Sequence, residues 1–160
     1  MSLSAEPIIR VQKEIFDAGE EAAKLTQGRT DIGAVVTFTG LCRDEGGTLA
    51  ALEIEHYPGM AEAEIARVAV DAAARWTLAS LLVIHRYGLI APGEPIVLVI
   101  TASAHRGAAF DAASFLMDYL KTRAPFWKKQ HARSGTDVEI GSAWVGAKQE
   151  DDAAAEKWGR

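Results

Sequence analysis

One cysteine in 160 residues, Cys42, leaves no partner for an internal disulfide and suits a reducing cytoplasm. No Cys/His spacing of the zinc-site kind occurs, so no metal site is expected. No apolar run reaches the roughly 18 residues that a membrane span needs. The N-terminal residues MSLSAEPIIRVQ hold neither the apolar core nor the cleavage pattern of a secretory signal. The formal charge of −5 argues against a general nucleic-acid binder, while leaving room for a local cationic pocket. A glycine-rich phosphate loop, a carboxylate metal cluster, internal repeats and low-complexity linkers are missing too. What remains is a chain 49% hydrophobic, enough to bury a core and to exclude disorder. It reads as one domain over 1–160, with a mobile tail from about 147.

Hydrophobic periodicity lays out the elements. Ile8–Val11 reads as a short strand. Asp17 caps a helix to about Leu25, with Glu20 three residues on as in a capping box. Gly33–Thr39, rich in Val, Thr and Phe, reads as a buried strand that Gly40 breaks. A glycine-bearing loop, 41–47, leads to Leu49–Tyr57. There Leu52, Ile54 and His56 alternate with Glu53, Glu55 and Tyr57, as in a half-buried strand antiparallel to its predecessor. Ala61, Ile65, Val68, Ala72 and Trp76 mark an amphipathic helix from Met60 to Trp76. Strands follow at Leu81–Tyr87 and Ile96–Ala102, then a long helix, then a last strand at Val138–Val145. The charged, alanine-rich segment Glu150–Trp158 reads as a helical tail able to dock on a partner. The order β-α-β-β-α-β-β-α-β-β, with hairpins and helices mixed, predicts an α+β fold with a mixed, mainly antiparallel sheet.

The chemistry concentrates in Lys121-Thr122-Arg123-Ala124-Pro125-Phe126-Trp127-Lys128-Lys129. Phe110, Ala113, Met117 and Leu120 recur at helical spacing before it. Pro125 lacks an N–H and disfavours the α conformation at Ala124, so the helix should stop near Arg123. Beyond it an extended chain would put Phe126 and Lys128 on one face, and Trp127 and Lys129 on the other. Lys121 and Lys128 then meet beside an aromatic wall, where two amines can hold a phosphate or carboxylate or act as acid or nucleophile. The plainer alternative is a last-turn lysine that complements the helix dipole and pairs with Asp118.

Three further cations stand in suggestive places. Arg43 follows a strand end in the glycine-bearing loop, where a guanidinium can grip an anion bidentately. His105 and Arg106 lie where a strand passes into a helix, whose first N–H groups favour anions. His56 and His85, inside strand patterns, read as packing or hydrogen-bonding residues. His131 reads as solvated in a polar loop. Cys42 beside Arg43 suggests a lowered thiol pKa and a sulfur-carrying role, which is set aside here.

The string MDYLKTRAPFWKK at 117–129 resembles the signature of the large, catalytic subunit of molybdopterin synthase. GAVVTFTG (33–40) with Arg43, LEIEHYPGM (52–60), VIHRYG (83–88), PGE (92–94) and SAHR (103–106) agree with that family in order. The resemblance spans about Ile8 to Trp158. It implies an α/β hammerhead-type fold and a homodimer of this chain, completed to a heterotetramer by a small ubiquitin-like sulfur-carrier subunit. It further implies sulfur transfer from that subunit's C-terminal Gly-Gly thiocarboxylate to cyclic pyranopterin monophosphate, twice, giving a dithiolene. No cofactor or metal is implied for the step.

By the same resemblance Lys121 and Lys128 are catalytic. Arg43, His105 and Arg106 bind substrate with them, some of this site being lent across the subunit interface. Lys129 and Gln130 are secondary contacts, and Phe38 and Met117 form pocket wall. The family carries a glutamate shortly after the second lysine, whereas this chain has Gln130, an amide that takes no proton at neutral pH. Other classes remain: a module that grips a ubiquitin-like tail without catalysis, a phosphate-ester hydrolase, or an RNA binder, which the acidic charge disfavours.

Overall fold

The computed structural model describes residues 6–134, 137–141 and 156–159. In chain order these form β1 (Ile8–Gln12), α1 (Ala18–Thr26), β2 (Ala34–Leu41), β3 (Leu49–His56), α2 (Met60–Arg75), β4 (Ser80–Arg86), β5 (Gly88–Ile90), β6 (Pro95–Ser103), α3 (Arg106–Arg123), β7 (Phe126–Ala132) and β8 (Asp137–Gly141). The architecture is α+β, as expected. The expected strand residues 142–145 and tail residues 150–155 lie outside the described residues.

Two four-stranded sheets carry the described residues, ordered β1-β4-β6-β2 and β5-β3-β7-β8. The first is mixed: β1 runs parallel to β4, while β4–β6 and β6–β2 are antiparallel. The second is wholly antiparallel. In the first sheet β4 and β6 are central and covered on both faces. Leu82, Ile84, Leu98 and Ile100 pack under α1 through Phe16, Ala22 and Leu25. Leu81, Val83, Val97 and Val99 face the main core with α2 and α3 residues such as Ile65, Phe115 and Leu116. Burial on both faces explains why these two strands are continuously apolar instead of alternating.

Local chemistry sets the element ends. Asp17 Oδ1 accepts the Glu20 N–H at 2.9 Å and caps α1. Gly59 precedes α2 at φ +86°, a conformation that favours glycine, and its N–H donates to Glu62 Oε2 at 2.8 Å. Ala124 is extended at φ −66°, ψ 132°, so α3 ends where Pro125 requires.

Several expectations are corrected. β2 is an edge strand, with Val35 and Phe38 exposed, and not a buried one. Its Val/Thr/Phe content reflects fit to a pleated surface more than burial. Gly40 does not end it; the strand continues to Leu41 through a bulge. β3 does not pair with β2. The intervening loop, with Gly46 and Gly47 at positive φ, carries the chain from one sheet to the other. β5, three residues long, pairs with β3 and was not foreseen. Phe110 is exposed, although Ala113, Met117 and Leu120 on its helical stripe are buried. His131 is not solvated in a loop: it lies in β7 and is half-buried, its Nε2 2.8 Å from Glu53 Oε1.

Candidate active site

The site begins at the corner that Pro125 makes between α3 and β7. Thr101 Oγ1 donates to the Ala109 carbonyl at 2.6 Å and ties the helix to β6. At the far end Arg123 lies over the Tyr119 ring, 4.8 Å from its centroid. Past the corner, β7 pairs with β3 in a register that sets Phe126 opposite His56, Lys128 opposite Ile54 and Gln130 opposite Leu52. Because strand side chains alternate, these residues share the inner face. Phe126 is fully buried, and Lys128 keeps only 3% of its surface. Trp127 takes the outer face, edge-on to Tyr57 at 4.8 Å.

Lys121, from the last turn of α3, and Lys128, from β7, line one cavity of about 320 Å³. Phe38, Thr39, Leu41 and Cys42 from β2 and the residues after it close it on one side. Leu52 and Ile96 contribute apolar floor, and Gln130 and Arg43 complete the polar lining. The aromatic wall is Phe38, not the rings of 126 and 127: Phe126 is stacked on His85, ring centroids 3.7 Å apart and planes 11° apart.

The electrostatics are unusual for a lysine. Burial, and then the neighbouring charge of Lys121, hold Lys128 down to about 6. Both causes disfavour the ammonium form. At neutral pH Lys128 is therefore largely an uncharged amine, able to accept a proton or attack a carbonyl carbon. Cys42 moves the other way. Burial first, then Asp44 and Glu94, push its thiol up, against the expectation of a lowered pKa beside Arg43. Its backbone is fixed by the Glu94 carbonyl at 2.8 Å and the Gly93 N–H at 2.6 Å.

Arg43 extends to the mouth of the cavity, where Glu45, also in the lining, pairs with its guanidinium. This carboxylate was missed in the sequence; its place two residues after Arg43 in the glycine-bearing loop was the available signal. Phe38 also borders a second, mostly apolar groove of about 350 Å³ with Phe110, Ala113 and Met117. Met117 lines that groove and not the lysine cavity. Lys129 is not in the cavity lining and takes the alternate face of β7. Asp118 receives the Trp158 Nε1–H at 2.5 Å and lies 3.8 Å from Lys157 Nζ.

His105 and Arg106 stand at the opposite end of the 18-residue α3, His105 at its N-cap. Helical rise puts them on the order of 20 Å from Lys121. Within one chain they do not join the lysine cavity. Both are exposed. Among the described residues no group of three or more His, Cys, Asp or Glu converges as a metal site. Among them, too, no helix is long and apolar enough to cross a membrane.

Residues 11–123 match the family model described as MoaE protein. The chain is 61% identical over 158 residues to the molybdopterin synthase catalytic subunit of Mesorhizobium japonicum, covering 99% of this chain and 97% of that one. It is 59% identical over 150 residues to the molybdopterin synthase catalytic subunit of Brucella melitensis, covering 94% and 90%. Among solved structures, the molybdopterin biosynthesis MoaE protein from Burkholderia ambifaria superposes with a TM-score of 0.81 at 40% identity, over 96% of this chain and 99% of that one.

Proposed function

The chain belongs to the family of molybdopterin synthase catalytic subunits, enzymes of molybdenum cofactor biosynthesis, and we propose that its lysine cavity is where sulfur is transferred. The substrate is cyclic pyranopterin monophosphate. The donor is the C-terminal Gly-Gly thiocarboxylate of a small ubiquitin-like subunit, whose tail threads into the cavity. In each transfer a C–S bond forms at a side-chain carbon of the pterin as a C–O bond there breaks, its oxygen leaving with the opened cyclic phosphate or as water, and water cleaves the tail's acyl–sulfur bond to leave a carboxylate. Two rounds, with exchange of the donor between them, build the dithiolene. The reaction runs in the cytoplasm, where the single buried thiol of Cys42 stays reduced.

One observation carries this reading: two amines from different elements share a small cavity, and one of them is held near pKa 6. An anionic tail must meet an anionic substrate, and cations are needed to hold both. Lys121 polarises the thiocarboxylate or exchanges its proton, and it is the candidate for a transient amide with the tail. Lys128 binds substrate and takes a proton as negative charge develops. Arg43 grips the phosphate end at the mouth. Gln130 lines the cavity as a hydrogen-bonding contact where the family carries glutamate, and Lys129 is a more distant one.

His105 and Arg106 complete the phosphate site from a second copy of the chain. This assignment rests on their distance from Lys121 along α3 and on the exposed apolar residues Val35, Phe38 and Phe110 on the β2 and α3 surface between. The assembly is then a homodimer with two small subunits, a heterotetramer.

The experiment mixes the protein with thiocarboxylated small subunit and cyclic pyranopterin monophosphate, and follows product by mass spectrometry. A dithiolene product is expected. Lys121→Ala should still bind the small subunit yet lose on the order of 2–4 kcal/mol of transition-state stabilisation, a fall in turnover of roughly thirty-fold or more. Unchanged turnover in that variant would leave only a tail-binding module.

A further inference from the structure

Arg86 ends β4 with 5% of its surface exposed, and no step above uses its charge. A buried guanidinium is costly unless it is paired and hydrogen-bonded. Arg86 Nε donates to the Lys13 carbonyl and Nη1 to the Pro95 carbonyl, each at 2.9 Å. Nη1 also lies 3.6 Å from Glu94 Oε1. The bond to Lys13 ties down the chain that leaves β1. The other two contacts meet at the turn 91–94, which leads into β6.

That turn is closed by its own groups. The Glu94 N–H donates to the Ala91 carbonyl at 3.0 Å, and the Ala91 N–H donates back to Glu94 Oε1 at 2.9 Å. Gly93 takes φ +89°, a conformation that favours glycine. Glu94 Oε1 thus serves the turn and Arg86 together. The backbone of the turn in its turn holds Cys42. The Glu94 carbonyl accepts the Cys42 N–H at 2.8 Å, and the Gly93 N–H donates to the Cys42 carbonyl at 2.6 Å.

The chain at Cys42 needs that hold. β2 is the edge strand of its sheet, and its register against β6 slips between Gly40 and Leu41. Cys42 follows the last residue of the strand, so the two bonds from the turn take over where the ladder stops. On the far side of Arg43, Asp44 Oδ1 accepts the Leu49 N–H at 2.9 Å. Arg43 therefore stands between two fixed neighbours, its guanidinium at the mouth of the lysine cavity beside Glu45. A binding group has to be held within about 0.5 Å of its productive place.

We propose that Arg86 and Glu94 are positioning residues for Arg43: clamped on the turn 91–94, they hold Cys42 by its backbone and so fix where the Arg43 side chain sets out toward the cavity mouth. The proposal rests on the reading that Arg43 grips the phosphate of the substrate. Neither Arg86 nor Glu94 lines the cavity, and neither touches substrate. An arginine present for packing alone would be matched by an apolar side chain of like length, with no charge to bury.

The test is amide hydrogen exchange followed by NMR, with the sulfur-transfer assay beside it. Arg86→Met keeps an unbranched stem and removes the guanidinium. Exchange at the Cys42 and Gly93 amides should quicken about tenfold or more with the loss of charge-assisted bonds, while amides in the middle of β4 and β6 keep the wild-type rate. KM for cyclic pyranopterin monophosphate should rise about tenfold with kcat little changed, because a misplaced grip weakens binding, whereas a smaller folded fraction would lower kcat alone. Arg43→Ala should raise KM at least as much, and adding Arg86→Met to it should raise KM no further. Unchanged exchange at Cys42 and Gly93 in a folded Arg86→Met protein overturns the proposal. So does a KM effect that is absent, or that adds to the effect of Arg43→Ala.

If Arg86→Met does not fold, Glu94→Ala is set against Glu94→Gln. The glutamine amide oxygen can still accept from Ala91, so Glu94→Gln should keep the Cys42 protection that Glu94→Ala loses. Equal protection in those two overturns the proposal as well. Should wild type yield no dithiolene, the reading of function fails. Titration of the same variants with inorganic phosphate then decides whether Arg86 acts through Arg43, and equal affinity in wild type and Arg86→Met overturns it.

Discussion

Lys121 and Lys128 enter one cavity from the two sides of a proline corner, the first from the last turn of α3 and the second from the inner face of β7. Pro125 ends the helix, and strand alternation then delivers Lys128 to the buried face. The pair differs in burial: Lys121 is half-buried and Lys128 nearly enclosed. Like charges at unequal depth separate the protonation states, and the deeper amine gives up its proton first. Such a division supplies one cation and one neutral base in the same space, as a reaction between two anions requires.

Replacing the deeper lysine should therefore stabilise the fold while ending catalysis. Lys128 titrates near 6 in the folded protein and near its ordinary 10.5 when unfolded. Between those values the unfolded chain binds more protons, so the lysine's cost to stability is greatest below pH 6 and fades as pH rises toward 10.5. Lys128→Met has similar volume and removes that cost. Its melting temperature should exceed that of wild type at pH 6, by an amount worth on the order of a few kcal/mol, with the gap shrinking at pH 9. Differential scanning calorimetry at the two pH values measures this. Dithiolene formation should be abolished in the same variant.

Anion binding should draw a proton from solution. A phosphate entering the cavity favours the ammonium form of Lys128 and raises its pKa. At pH 7, about one proton should be taken up per phosphate-bearing ligand, and affinity should increase as pH falls toward 6. Calorimetric titration in buffers of different ionisation enthalpy gives the number directly. In Lys128→Met the uptake should vanish while weaker binding through Arg43 persists.

The lysine corner was legible in sequence because each step had one local cause. Pro125 could not continue a helix, and Phe126 and Lys128 had to share a face once the chain was extended. β4 and β6 were equally clear, their unbroken apolar runs reflecting cover on both sides. The partner of β3 was not legible: consecutive strands usually pair, and nothing local to 41–47 said that the chain would change sheets. β5 was too short to show a period. Helical spacing placed Phe110 with Met117 but could not reveal that the packed surface ends before Phe110. His105 and Arg106 lie a helix length from Lys121, a separation that the local strand-to-helix pattern does not express.

Gly33 should tolerate no side chain. A Cβ built there would lie 2.2 Å from the Ala104 carbonyl oxygen, a backbone atom that cannot swing aside. The Gly33 N–H also donates to the Ser103 carbonyl at 3.0 Å, holding the start of β2 against the strand end that leads into α3. Gly33→Ala forces these segments apart at an overpacking cost of about 1–3 kcal/mol. For a chain of this size that lowers the melting temperature by roughly 2–12 °C. Because the displaced backbone adjoins His105, KM for the pterin should rise more than kcat falls. A melting temperature equal to that of wild type would mean that the junction relaxes without strain.

The docked end of the chain should matter to catalysis as well as to stability. Trp158 packs edge-on against Trp76 and Phe115, with centroids 5.5 and 5.7 Å away. Its Nε1–H donates to Asp118, its carbonyl accepts from Arg75 at 2.6 Å, and the next carbonyl, Gly159, accepts the Tyr119 hydroxyl at 2.7 Å. Asp118 and Tyr119 belong to the turn of α3 that precedes Lys121, so this contact braces the helix end that presents the amine. Trp158→Ala should cost about 1–3 kcal/mol, less than a fully buried tryptophan because the ring is only half-buried. Trp158→Phe keeps the ring packing and loses only the bond to Asp118. If bracing of the helix end is what counts, Trp158→Ala should lower kcat several-fold, Trp158→Phe should fall between it and wild type, and the order should match that of their melting temperatures.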